Sequence, residues 1–155
     1  MMRTLLAILL YCVATASAIA AEAPKVDSDA RETVATLGEL SQRSGLPEVD
    51  LNSLLADCSA NQQSMYFCAW RDQIAADRAL RRVLADKEQK MPKCKPSLES
   101  KIVTWGQRRD QSCDKSAKKQ WGEGSMRPTA KAICIATETT RMTKRLENMR
   151  GCNLR

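Results

Sequence analysis

Six cysteines constrain this chain more than any other feature: Cys58, Cys68, Cys94, Cys113, Cys134 and Cys152. A seventh, Cys12, falls within residues 1–20, which read as an export signal peptide. Arg3 supplies the positive start, LLAILLYCVA an apolar stretch too short to span a bilayer, and Ala18-Ile19-Ala20 the small-x-small pattern of a signal-peptidase site. Bulky Tyr11 stands where a lipoprotein signal built on Cys12 would need a small residue. Cleavage after Ala20 or Ala21 is expected, leaving a periplasmic or secreted chain with no transmembrane segment. An even number of cysteines in an exported chain implies disulfides, here three. A zinc site or a dithiol redox motif is disfavoured because no CxxC pair and no histidine occurs. Neither metal nor cofactor is expected.

A chain of about 135 residues after the signal suits one domain. Aromatic residues make up only 4% of the precursor, so the core must come from Leu, Ala, Ile, Val and Met, a set that favours helices. Strand alternation is absent. Val34, Leu37 and Leu40 mark a short helix over about 28–43, SGLPEVD breaks it, and Asp50 is placed to cap a brief helix through Leu55. Longer helices are predicted over about 63–89 and 97–120, separated by the proline-bearing turn MPKCKP. A last helix runs to about 149 after WGEGSMRP, with Thr129 as its candidate cap. The expected fold is all-α: a small disulfide-bonded bundle built on an antiparallel helix hairpin plus a third long helix. Residues 21–57 form an N-terminal extension with short helices, and residues 58–155 form the main domain.

Within the second long helix, Leu98, Ile102, Trp105, Arg109 and Cys113 recur on one face. An arginine in a buried stripe needs a partner. Setting the two long helices antiparallel brings Cys68 to Cys113, Asp72 to Arg109 and Ala76 to Trp105 in one register. Arg109 is therefore read as half of a structural ion pair with Asp72. Cys94, in the turn, and Cys152, after the final helix, lie at one end of the bundle and are expected to pair. Cys58 and Cys134 are left for each other at the opposite end.

The same residues resemble the LprI-type lysozyme-inhibitor domain of bacterial envelope proteins over about 58–146. The resemblance rests on Cys58, then Cys68 with Asp77 and Leu80, then Trp105, Arg109, Asp110 and Cys113, then Gly124-Ser125, Cys134, Thr139 and Leu146. The combination W-x3-RD-x2-C, GS, C is fairly specific. Arg81 and Leu84 stand where the family usually shows Asn and Tyr, and Arg108 replaces a usual aromatic residue. An arginine expected in step with Thr139 falls one position early, as Arg141, with Met142 in its place. The resemblance implies a small disulfide-bonded helical domain of a kind that includes an inhibitor of lysozyme.

An enzyme is the weakest functional reading. The commonest general base is missing, and GEGSM around Ser125 is not a GxSxG elbow. Asp110 and Asp114 sit among Arg108, Arg109 and Lys115, as on a solvated helix face. A non-enzymatic binding protein fits better, with Gly122, Glu123, Gly124, Ser125, Met126 and Arg127 as the candidate binding loop. Its partner is expected to be either a lysozyme-type glycosidase or an anionic envelope polymer. The first is opposed by charge when the enzyme is cationic. Removing the signal takes Arg3 alone among charged residues, so the formal +7 becomes +6. The second draws on Lys115, Lys118, Lys119, Arg127 and Lys131 around the loop, extended by Lys144, Arg145 and Arg150, with Trp121 at the loop entrance. No nucleic-acid motif occurs, and a nucleic-acid partner is not expected in an exported chain.

Overall fold

The computed structural model describes residues 25–153, with side chains from Ser28 onward; the expected signal peptide lies outside the described residues. Helices α1 (Lys25–Ser44) and α2 (Glu48–Leu55) precede three long ones, α3 (Gln62–Lys90), α4 (Lys95–Trp121) and α5 (Arg127–Glu147). A 3-10 turn over Pro92–Cys94 joins α3 to α4. Among the described residues no strand forms, and no helix is long and apolar enough to cross a membrane. The all-α, disulfide-bonded bundle expected from the sequence is the fold observed.

Local chemistry explains the boundaries. The Asn61 side chain caps α3 by accepting from the Ser64 N–H at 2.9 Å. Pro96 is accommodated in the first turn of α4, where its missing N–H costs nothing, so the helix starts two residues before the expected Ser97. Two expected caps are replaced. Asp50 lies inside α2, which begins after Pro47, and Thr129 lies inside α5, 1% exposed, behind Pro128 in the first turn. On α1 the buried face is turned from the expected one: Val34 is exposed, while Thr36 and Leu40 point inward with Leu37 half-buried.

The hairpin of α3 and α4 forms, but α5 rather than α4 covers most of α3. Connected through two short turns, α5 runs antiparallel to α4 and therefore parallel to α3. Its buried positions Thr129, Ala132, Ile135, Thr139, Met142, Thr143 and Leu146 make one continuous inward stripe, whereas α4 buries only Leu98, Cys113 and Ala117. One core joins Leu80, Leu98, Met142, Leu146 and Met149, with Val83, Ile102 and Trp105 against it. A second lies between α1, α2 and α3, where Leu40, Leu51, Phe67 and Ile74 are buried and Trp70 and Tyr66 pack at the edge.

This arrangement changes two of the three expected disulfides. Cys94–Cys152 forms, tying the α3–α4 turn to the segment after α5. Cys68 bonds Cys58, not Cys113, and Cys113 bonds Cys134. The physical reason is the position of α5. It takes the place beside α4 that the simple hairpin gave to α3, so Cys113 faces Cys134, while the turn before α3 folds Cys58 back onto the start of that helix.

The expected Asp72–Arg109 pair is also replaced. Asp72 is exposed and bonds its neighbour Arg71 at 2.7 Å. Arg109 instead reaches Asp77, five residues further along α3, at 2.7 Å. Five residues advance a helix by one turn and well over a third of another. The facing side of α3 is thus rotated as well as shifted from the expected register.

Candidate functional site

The first group of polar residues is a brace inside the bundle. The Arg109 Nη1 donates to Asp77 Oδ1 at 2.7 Å and to Thr139 Oγ1 at 2.5 Å, while its Nε donates to Asp110 at 2.8 Å. Its guanidinium lies 5.0 Å from the centre of the Trp105 ring, a cation–π distance. Side-chain exposure is only 10% for Arg109 and 18% for Asp77, which places the pair nearer a buried than a surface ion pair. Burial works against the Arg109 charge, but the bonds to Asp110 and Asp77 outweigh it and hold the pKa above the ordinary arginine value. One side chain from each of α3, α4 and α5 meets here. Its chemistry is that of a lock between helices.

The second group is the loop between α4 and α5. Gly122 has φ +60°, a region that glycine reaches without a side-chain penalty, and its N–H closes α4 on Lys118 O at 2.8 Å. A Cβ on Gly124 would lie 2.8 Å from the Trp121 carbonyl oxygen, too close for any residue but glycine in this turn. Gly124 N–H donates to that same oxygen at 2.9 Å, and Arg127 N–H donates to Gly124 O at 3.0 Å. The two glycines therefore permit a hydrogen-bonded turn.

Charge pairing fixes the turn further. Glu123, 70% exposed at the tip, contacts Lys118 at 3.0 Å and pairs with Arg127. Arg127 also donates to both Asp114 oxygens at 3.2 Å, and Lys131 meets Asp114 at 3.1 Å. Lys118 and Arg127 hold the Glu123 carboxyl below its usual range, and Lys131 with Arg127 does the same for Asp114. Beneath the loop, Cys113–Cys134 joins the two helices that carry it.

Beside the loop runs an open groove of about 340 Å³, lined by Ala117, Trp121, Met126, Ala130 and Ile133. Trp121 and Ile133 are 42% and 53% exposed, an apolar edge next to the charged turn. On the other flank Ser125 and Pro128 face Tyr66 across a second open groove.

The structure thus keeps Gly122 to Arg127 together as one shaped tip. It separates the lysines grouped around it in sequence: Lys118, Arg127 and Lys131 have acidic partners, while Lys115 and Lys119 lie exposed on α4. Lys144, Arg145 and Arg150 are at the other end of α5. Sequence reasoning missed Asp77 and Thr139 as the partners of Arg109. The signal was present, since both stand in the same resemblance pattern as Trp105, Arg109 and Asp110.

The family model described as Lysozyme inhibitor LprI matches residues 56–146, and the chain belongs to that family. No curated protein and no solved structure matches it. The matched span holds the whole of the brace, the loop and two of the three disulfides. It leaves out α1, α2 and Cys152.

Proposed function

We propose that this is an exported, non-enzymatic protein that blocks a lysozyme-type glycosidase with the tip between α4 and α5. Family membership supplies the class of partner. The observation that carries the choice of surface is the turn itself: a protruding, hydrogen-bonded tip with an exposed carboxylate, flanked by the apolar groove of Trp121, Met126 and Ile133. A turn already fixed by Gly122, Gly124 and its ion pairs loses little entropy on entering a cleft. Glycosidase clefts of this type carry a pair of carboxyl groups. Lys118 and Arg127, both held at the tip by Glu123, are placed to meet such groups. The three disulfides fit an oxidising compartment, in keeping with a periplasmic or secreted location. In this reading residues 58–155 form the inhibitor module, and residues 21–57 an extension attached to it.

The test is inhibition of purified lysozymes of cationic, neutral and acidic net charge, each titrated to equal molarity. Stoichiometric inhibition is expected for at least one of them, weakened by Trp121→Ala and by Glu123→Ala with Ser125→Ala. Because the chain itself is cationic, association with a cationic lysozyme should speed up as salt is added. Absence of inhibition across the panel would refute the reading. Inhibition untouched by the loop variants would move the site elsewhere.

A further inference from the structure

Most cations whose surroundings are described have acidic neighbours. Arg43, Arg78, Arg81 and Arg82 pair with Glu39 or Glu32, Lys90 with Asp86, and Lys95 with Glu88 and Glu99. At the loop Lys118, Arg127 and Lys131 pair with Glu123 or Asp114. At the other end of the bundle the pattern reverses. Lys144, Arg145, Asn148, Met149, Arg150 and Asn153 line one cavity of about 490 Å³. Among the described residues no acidic side chain lines it, and none of its three cations has an acidic partner. Glu147, the nearest acid in sequence, lines the adjacent depression with Arg82 and Lys87 instead.

Two more lysines crowd the same end while spending their hydrogen bonds on backbone carbonyls. Lys87 donates to Glu147 O at 2.8 Å, and Lys101 donates to Cys152 O at 3.2 Å. Cations near a helix C-terminus do stabilise its dipole, which accounts for Lys144 and Arg145 in the last turn of α5. It does not account for Arg150, which lies past the helix end, nor for the convergence of all three on one opening. Cys94–Cys152 fixes the segment that carries Arg150 against the start of α4, so the opening is held in shape.

We propose that this cavity binds a phosphate group, presented by an anionic lipid headgroup or carried free in solution. Two guanidinium groups and an ammonium suit the several oxygens of a phosphate, with arginine favoured for its fork of donors. The asparagine side chains can supply further polar contacts. The site lies about 30 Å from the loop tip, the length of α5, so a molecule held at this end leaves the tip free. The proposal does not depend on what the tip binds.

The test compares two triple variants with equal loss of charge. One is K144Q/R145Q/R150Q. The other is R108Q/K115Q/K119Q, exposed positions on α4 that lie roughly 20–35 Å from the Cys94 end, well beyond the Debye length of about 10 Å. Binding is measured to vesicles of phosphatidylglycerol in phosphatidylcholine, with pure phosphatidylcholine as blank, and to inorganic pyrophosphate by calorimetry. The cavity triple should lose roughly a hundredfold in affinity for the anionic vesicles, and the α4 triple no more than about threefold. Binding to vesicles alone assigns the headgroup as the source. Binding to pyrophosphate, abolished in the cavity triple, assigns the free group. Equal weakening by the two triples, or no binding of either probe by the unaltered protein, overturns the proposal. If the cavity triple does not fold, R150Q alone carries the comparison, since Arg150 lies outside any helix.

Discussion

Removing Arg109 tests the brace most directly. Arg109→Ala deletes the bonds to Asp77 and Thr139 and the contact with Trp105, leaving the Asp77 carboxylate mostly out of water. A fully dry pair broken this way costs about 3–5 kcal/mol, and an exposed one about 0–1 kcal/mol. Exposures of 10% and 18% put this pair towards the dry limit, at about 3 kcal/mol, of which the Trp105 contact is worth up to about 1 kcal/mol. For a domain of this size that is a fall in Tm of about 10 °C. The assay is a double-mutant cycle of Arg109→Ala and Asp77→Ala followed by urea unfolding, with a coupling of about 2 kcal/mol expected. Arg109→Met combined with Asp77→Leu should recover much of the loss, because an apolar pair of similar volume removes the stranded charge. Asp110→Ala and Asp72→Ala should each cost less than about 0.5 kcal/mol, since both carboxylates are more than half exposed. A coupling below about 0.5 kcal/mol, or an Asp72 effect equal to that of Asp77, would refute the assignment.

Acid should loosen the attachment of α1. Burial alone would raise the pKa of Glu32 and Glu39, but their bonds to Arg78, with Arg82 on Glu32 and Arg81 on Glu39, outweigh it and lower both from 4.5. Their contribution is therefore full above pH 4.5 and lost as pH falls through the folded values; Tm measured from pH 6 to 3 should drop below about 4.5, and less so in E32Q/E39Q. Non-reducing peptide mapping should recover Cys58–Cys68, Cys94–Cys152 and Cys113–Cys134. Removing the second, which closes 58 residues, should destabilise by about 4 kcal/mol, against about 3 kcal/mol for each of the others. Gly124→Ala should force the loop turn open because of the 2.8 Å approach to Trp121 O, reducing lysozyme inhibition with little change in Tm; inhibition equal to that of the unaltered protein would detach the turn from function.

Helix number and order were legible because the sequence punctuates the long helices, with prolines around Cys94 and glycines after Trp121. Pairing between helices was not. A hairpin drawn from two sequence-adjacent helices makes α3 and α4 natural partners, and the stripe of Cys113, Arg109 and Trp105 fits that picture. The buried stripe of α5 is longer and more continuous than that of α4, and it is α5 that covers most of α3. The disulfides and the Arg109 partner then follow from that one choice. The loop was legible as a place but not as a turn, since Gly122 and Gly124 look like a flexible run until the carbonyl of Trp121 is seen beside them. The ion pairs of Glu32 and Glu39 with α3 were not read at all, because no local periodicity links positions some forty residues apart.

Those distant pairs tie α1 to α3. Arg81 sits on α3 next to Glu39 of α1 at 3.2 Å. Glu39 is at the same time shared with Arg43 and Arg78, and Glu32 joins Arg78 to Arg82. The partner helix α1 lies outside the span matched by the family model. Beneath the charges, Leu40 and Leu51 cover Phe67 and Ile74, so α3 has an apolar face that the matched span does not itself enclose. The extension and α3 are fitted to each other on two levels, charge at the rim and apolar contact below. The loop tip lies between α4 and α5, where Ser125 faces Tyr66, at the edge of that apolar contact, across an open groove.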